Sequence, residues 1–277
     1  MSELDKNVTR KQHLISKALL HRFARPDGNL RSLNLQYGRA SLRNPSAVGW
    51  RWDFVAHLPN QAEQLWETVE NNLPASLDAV ETGSLSASQE MVLKQAIALH
   101  FFRRDVTKFA FEQSLARSLA NRDQDASEGR FSTPTLAALR GRADESSSEW
   151  FQDSVEDLFR RGTAEVSSAQ LEIVTAVEGE FLIGDGAILS LSSDGGFGTL
   201  PFTDAATHLL PVGRRHAIAL APEGGAVQVE QSWVDQLNTA QIREASSHVF
   251  FHPDSGLEDF VTAARLEILR EKDLGDS

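Results

Sequence analysis

Basic side chains near the start of the chain have the spacing of a phosphate-binding surface. The segment 9–28 begins with a possible helix N-cap, Thr9, and ends in Pro-Asp-Gly, which predicts a helix of about four turns. One face of that helix would be apolar, and the opposite face would carry Arg10, His13, Lys17 and His21. This stripe predicts an anion site in which Arg10, Lys17 and His21 bind the ligand. A solvated basic face is the alternative.

Common catalytic signatures are missing from the sequence. There is no Gly-x-Ser-x-Gly elbow and no His-Glu-x-x-His pair, and the chain has no cysteine. The glycine-rich segment 192–200 lacks the lysine of a P-loop and the spacing of a dinucleotide fingerprint. Any active site must therefore be assembled from distant segments.

Charge is distributed unevenly along the chain. The whole protein, 277 residues, has a formal net charge of -12, yet residues 1–51 contain ten Lys and Arg against three acidic residues. Such asymmetry indicates either a nucleic-acid or phosphate contact at the basic end, or a basic segment folded against an acidic body. No apolar run is long enough for a membrane span, and the start lacks the apolar region of a signal peptide, so we expect a cytoplasmic protein with no membrane partner.

The pattern of residues predicts strands after the opening helix and then mainly helices up to Gly162. Strands are predicted at 29–37 and at 48–55, where alternation would bury Trp50, Trp52 and Phe54. Helices are predicted at 60–73, at 88–121 and at 149–161, with Gly162 as the last stop. The polar segment 122–148 predicts a mobile loop.

Beyond Gly162 the pattern becomes that of strands. Short β-rich runs separated by turn residues lie at 171–177, 180–184, 187–191, 207–212, 216–222 and 226–230. A helix, a strand at 248–252 and a helix at 256–271 follow. We therefore expect an α+β fold in which a helix-rich N-terminal half packs on a C-terminal antiparallel sheet with a terminal helix. The chain is expected to be one domain, 1–277, with parts at 1–58, 59–162 and 163–277.

Ordered blocks of residues run along nearly the whole chain. They are QHLISKALLHRFA, AEQLWETVE, FLIGDGAI, HLLPVGRRHAIAL and WVDQLNTAQIREA. Together they resemble the bacterial family of unknown function DUF4238. Its members have an early His, here His13, an Asp-Asn-Pro turn after a strand, and an Asn that begins a late helix, here Asn238. At the turn this chain has Asp185-Gly186-Ala187, so only the Asp remains. The resemblance implies a single fold and carries no known activity.

His13, Asp185 and Asn238 are the candidate catalytic residues. Asp185 lies in a Gly-Asp-Gly turn at a strand end, where a carboxylate can bind a metal or act as a base. Glu63 is a further carboxylate, so Glu63 and Asp185 are candidate ligands of a divalent metal cofactor. The structural alternatives are an Asx turn for Asp185, a helix-pinning contact for Asn238 and a backbone hydrogen bond for His13. The site hypothesis requires the three catalytic candidates to converge.

Two classes of function fit these features. The first is an effector or enzyme that acts on nucleic acid or a phosphorylated substrate; as an enzyme it would be a metal-dependent hydrolase or nuclease. Analogy with other orphan bacterial families suggests a defence role for such a protein. The second class is a non-catalytic protein-interaction module whose basic N-terminus docks on an acidic partner or on its own acidic body.

Overall fold

The computed structural model describes residues 11–52, 54–55, 61–114, 117, 147–198 and 200–275. Side chains are described for all of these except 61–65, 147–150, 152–153 and 272–275. Helices and several β-sheets make up the fold, which confirms the predicted α+β class. The predicted loop 122–148 falls almost entirely outside the described residues. Among the described residues, no helix is both long and apolar enough to cross a membrane.

The α-helices occur along the whole described chain and are most frequent between residues 61 and 166. They are α1 (Lys17–His21), α2 (Gln61–Thr82), α3 (Ala87–Phe102), α4 (Ser147–Val166), α5 (Gln231–Glu244) and α6 (Leu257–Gly275). A further helical stretch, 105–114, follows α3. The predicted continuous helix 88–121 is therefore wrong, because the chain turns at Arg103 and Arg104. At its start α3 has a full capping box between Ser86 and Gln89.

Gly162 does not end a helix. Helix α4 continues through it to Val166, and a Cβ at Gly162 would lie 2.5 Å from Cε2 of Phe102. The predicted stop was wrong because this glycine serves close packing of α4 on α3, which outweighs its low helix propensity.

Two larger sheets and one ribbon contain the strands. The four-stranded sheet has the order β3 (Arg39–Arg43), β2 (Leu30–Asn34), β12 (His248–Phe251), β6 (Ile183–Gly184). The six-stranded sheet has the order β11 (Gly225–Val229), β5 (Gln170–Ala176), β10 (His216–Ala221), β9 (Thr207–Pro211), β7 (Leu189–Leu191), β8 (Phe197–Gly198). The ribbon pairs β1 (Lys11–His13) with β4 (Trp50–Trp52). The C-terminal sheet is antiparallel as predicted, apart from the parallel pair β11 and β5.

The opening segment differs most from its prediction. Instead of one helix over 9–28, it forms strand β1 and the five-residue helix α1. Pairing with β4 overrides the helical pattern, and the Gln12 side chain strengthens it by accepting from Val55 N at 2.8 Å. The apolar side was predicted correctly, since Ile15, Leu19 and Phe23 are all fully buried. The basic stripe does not form, because His13 lies on a strand and Lys17 and His21 on the short helix.

The predicted strand 48–55 exposes a tryptophan that the alternating pattern had placed in the core. Phe54 is buried, whereas Trp52 is 61% exposed and Trp50 is half-buried. The prediction of a buried tryptophan face is therefore wrong. A two-stranded ribbon has only one neighbour for its side chains to pack against, so strict alternation does not imply burial.

Three apolar clusters hold the elements together. The largest lies between helices α1 to α4 and one face of the six-stranded sheet, and α5 covers the opposite face of that sheet. Strand β10 serves both, with Ile218 and Leu220 in the first cluster and Ala217 and Ala219 in the second. The third cluster joins the four-stranded sheet to α6. One face of the four-stranded sheet is thereby buried. On the opposite face Leu30, Ile183 and Phe250 belong to the largest cluster, and the part of that face beside β3 is left open for the site described next.

Candidate anion-binding site

A cleft of about 580 Å³ lies over the open face of the four-stranded sheet. Strands β2, β3 and β12 form its floor. Its walls come from the ribbon strand β4, the turn that contains Asp185, and Asp105. We call it the sheet cleft.

The floor of the sheet cleft follows from strand alternation. Leu33, Val249 and Phe251 point into the apolar cluster under α6, so their neighbours in sequence point the other way. Strand register then aligns the outward side chains in two rows across the sheet. One row is Arg39, Asn34 and His248, and the other is Ser41, Ser32 and Phe250.

Arginines give the sheet cleft its positive charge. Arg51 donates from Nε and Nη2 to Oδ2 of Asp105, and this hydrogen bond raises the pKa of Arg51 above its usual range. Arg43 donates from Nε to Ser41 Oγ at 3.1 Å. Arg39 and Arg43 have no carboxylate partner among the described residues. They are therefore available for an anion from solution.

Three other arginines of the opening part are already paired with carboxylates. Arg22 pairs with Asp78 and Glu81, Arg25 with Asp254, and Arg31 with Glu258. The acidic partners all come from later in the chain. With Arg51, four of the ten Lys and Arg of residues 1–51 thus contact carboxylates from the later, acidic part of the protein.

Asp185 lines the sheet cleft but uses its carboxylate inside the fold. It accepts hydrogen bonds from Ser246 N at 2.7 Å, Ser247 N at 2.9 Å, Ser247 Oγ at 2.6 Å and His248 N at 3.0 Å. The backbone N–H of Asp185 also donates to His248 O at 2.9 Å. This carboxylate therefore fastens the turn after β6 to the start of β12.

Hydrogen bonds from the same network fix the tautomer of His248. Ser247 Oγ donates to Asp185, so it accepts from His248 Nδ1 at 2.9 Å. The other ring nitrogen, Nε2, is then left to accept from Asn34 Nδ2 at 3.1 Å. Burial lowers the pKa of His248, and Arg51 and Arg43 add to this effect while Asp185 opposes it. His248 is accordingly a neutral, oriented part of the floor.

Asn238 is fully buried, and its side chain binds the backbone of residues 180 and 182. Its Oδ1 accepts from Leu182 N at 3.0 Å and its Nδ2 donates to Glu180 O at 2.9 Å. One turn later on α5, Gln241 accepts from Gly184 N and donates to Ala187 O, both at 2.8 Å. The two amides pin the segment 180–187, which includes the Asp185 turn. Ala187 has a φ of 54°, a strained conformation that Gln241 helps to maintain.

His13 lines a different cleft, of about 460 Å³, with Lys11, Lys17, Glu70 and Arg103. Burial and the neighbouring Lys17 and Lys11 lower the pKa of His13 to about 4, and its Nε2 has no hydrogen-bond partner among the described residues. The ring is therefore neutral near pH 7. Behind it, the N–H of Ser16 donates to His100 Nε2 at 3.1 Å.

The three catalytic candidates occupy separate places. His13 lines the second cleft, Asp185 lines the sheet cleft, and Asn238 lines neither. Of the predicted anion-binding residues, Lys17 lies at the second cleft, His21 lines neither cleft, and Arg10 is outside the described residues. The side chain of Glu63 is also outside them. Among the described residues, no group of three His, Asp or Glu side chains is placed to hold a metal ion.

A family model covers residues 11–255 and matches most of the chain. Its description is a protein of unknown function, DUF4238. The chain belongs to this family. No curated protein matches it, and no solved structure does. Helix α6 begins just beyond the matched residues, so the DUF4238 match includes both clefts but not the helix under the four-stranded sheet.

Sequence reasoning about this DUF4238 protein missed the arginines of the sheet cleft. The predicted anion-binding residues, Arg10, Lys17 and His21, all lie in the opening segment 9–28. A sequence signal did exist, because Arg39, Ser41 and Arg43 alternate in a run with strand character and must share a face. The position of Arg51 against that face had no such signal, since it depends on how the ribbon packs.

Proposed function

We propose that this protein binds a phosphate-bearing ligand in the sheet cleft. The observation that supports the proposal is the pair Arg39 and Arg43, two guanidinium groups on one strand face without a carboxylate partner among the described residues. Guanidinium groups bind phosphate with paired, charge-assisted hydrogen bonds. The ligand is a nucleic acid or a phosphorylated small molecule.

Contrast within the chain supports this assignment. Arg22, Arg25, Arg31 and Arg51 all have carboxylate partners, so unpaired arginines are the exception in this part of the protein. The two exceptions line the same cleft, whose volume lies within the range of small-ligand pockets. In a protein of net charge -12, a cleft with unpaired arginines favours anions over the acidic surface around it.

The proposal assigns binding and no reaction. The carboxylate of Asp185 is engaged by four donors, and His248 uses both ring nitrogens within the protein. Asp185 therefore holds a wall of the sheet cleft in place, and His248 is part of its floor. A hydrolytic or nuclease activity would need groups supplied by the ligand, by a metal or by other parts of the chain.

Titration calorimetry with inorganic pyrophosphate, and fluorescence anisotropy with a labelled single-stranded oligonucleotide, test the proposal. Each charge-assisted hydrogen bond contributes about 1.5–3 kcal/mol, reduced at exposed positions. We expect the double variant Arg39→Gln/Arg43→Gln to weaken binding about 10- to 100-fold, and rising salt to weaken wild-type binding.

The matched control is Arg160→Gln/Arg161→Gln. These arginines are also exposed, and among the described residues they pair with Glu156 and Asp157 of the same helix. They do not line the sheet cleft. Their replacement changes the net charge of the protein by the same amount as the double variant in the cleft. Equal loss of affinity in both double variants would show that only net charge matters. Absence of binding by wild-type protein to both probes at low salt would refute the proposal.

A further inference from the structure

Tyr37 is an exposed aromatic side chain at the rim of the sheet cleft. It is 66% exposed, and its hydroxyl has no hydrogen-bond partner among the described residues. Its position is nevertheless fixed, because Tyr37 N donates to Asn34 Oδ1 and Gly38 N to Asn34 O, at 2.9 and 2.8 Å. The turn thus presents a large apolar ring to solvent two residues before Arg39.

The backbone of this turn is held from a second side. Arg265 on α6 donates from Nη2 to Gln36 O at 2.7 Å and from Nε to Leu35 O. A ring that is exposed on a rigid turn loses little conformational freedom when a ligand stacks on it. Low ordering cost is what makes tyrosine effective in binding surfaces.

Trp50 supplies an aromatic group on another wall of the same cleft. The indole Nε1 donates to Ala47 O at 2.9 Å, Lys11 Nζ lies 4.4 Å from the ring, and Trp52 packs edge-on at 5.4 Å. These contacts fix the indole in place. The sheet cleft therefore combines an indole held by its contacts, a tyrosine on a fixed backbone turn and two arginines that lack carboxylate partners among the described residues.

We infer that the ligand is a nucleotide, with its phosphate on Arg39 and Arg43 and its base stacked on Tyr37. This inference rests on the proposed function and adds a planar aromatic group to the ligand. Stacking on an aromatic side chain is worth about 5- to 100-fold in affinity per base. A sugar phosphate without a base would use the arginines and leave Tyr37 exposed.

Affinity for adenosine 5′-monophosphate should be compared with affinity for ribose 5-phosphate, which lacks the base. We expect the nucleotide to bind about 5- to 100-fold more tightly. Tyr37→Leu should remove most of this preference while leaving ribose 5-phosphate affinity unchanged. Phe109→Leu is the matched control, since Phe109 is 61% exposed and does not line the cleft.

The outcomes separate the two proposals. Equal binding of both probes, or a preference that survives Tyr37→Leu, overturns the nucleotide inference and leaves the phosphate site standing. Failure of both probes and of pyrophosphate to bind refutes the proposed function itself. A 5′-phosphorylated hexanucleotide distinguishes the sources: tighter binding than the mononucleotide indicates the end of a nucleic-acid strand, and equal or weaker binding indicates a free nucleotide.

Discussion

Replacing Asp185 by Ala tests whether this residue is a structural clamp. The substitution removes the acceptor for three backbone N–H groups and one hydroxyl at the start of β12. A buried donor left without its acceptor costs about 1–3 kcal/mol, and the Ser246 N–H can be satisfied by water because it is exposed. With Ser247 and His248 bearing most of the penalty, we expect the free energy of unfolding to fall by about 3–5 kcal/mol.

Thermal unfolding followed by circular dichroism measures this loss. For a chain of this size we expect the Tm to fall by about 6–15 °C. Asp194→Ala is the control, because Asp194 also accepts from a turn, through Gly196 N and Ser192 Oγ, but does so at an exposed hairpin. Its effect should stay below about 1 kcal/mol.

A catalytic or metal-binding Asp185 would behave differently. In that case Asp185→Ala would leave the Tm within about 2 °C of wild type and abolish a measurable ligand or metal effect. That result would refute the structural role of Asp185 and support a role in ligand or metal binding. The intermediate variant Asp185→Asn keeps one acceptor oxygen and loses the charge, so the clamp predicts a smaller loss of stability than for alanine.

Two further predictions concern His13 and Gly162. The pKa of His13 lies near 4 in the folded protein, below its unfolded value of about 6.5, so protons bind preferentially to the unfolded chain. The free energy of unfolding should therefore fall as pH drops from about 6.5 to about 4. Urea unfolding at several pH values should show a smaller fall for His13→Gln than for wild type. The same dependence on pH in both proteins would contradict this prediction. Gly162→Ala should lower stability by about 1–3 kcal/mol despite the better helix propensity of alanine, because its Cβ would meet the Phe102 ring at 2.5 Å. A Tm equal to or above that of wild type would show that the ring moves away.

The sequence predicted the secondary structure well in the second half of the chain, whereas the helical patterns at 9–28 and 88–121 did not give the continuous helices predicted from them. Strands β5, β9, β10 and β11 lie within about two residues of the runs that predicted them, and α4 and α5 lie where apolar spacing indicated them. His100 lies inside the apolar stretch of α3, where it is 1% exposed with partners at both ring nitrogens. These features depend on local pattern, which the sequence contains in full.

Site residues were harder to predict, since their roles depend on partners far away in the chain. Asp185 and Asn238 were singled out as catalytic candidates, and the structure shows both fastening backbone around the turn 184–187. Carboxylate and amide side chains suit chemistry and turn capping equally well. Only the positions of Leu182, Ser247 and His248 show which donors and acceptors they meet.

Composition and pattern by themselves determined an α+β chain of the DUF4238 family, with a basic opening part and an apolar face at Ile15, Leu19 and Phe23. Tertiary structure decided what that basic part does. Pairing of β1 with β4 replaced the predicted helix, and carboxylates from later in the chain neutralised four of its arginines. Arg39 and Arg43 lie on the edge strand β3, and the two carboxylates that line the same cleft are engaged elsewhere, Asp105 with Arg51 and Asp185 with the start of β12. Which charges are left for a ligand is thus a property of long-range packing, and local sequence contains no signal for it.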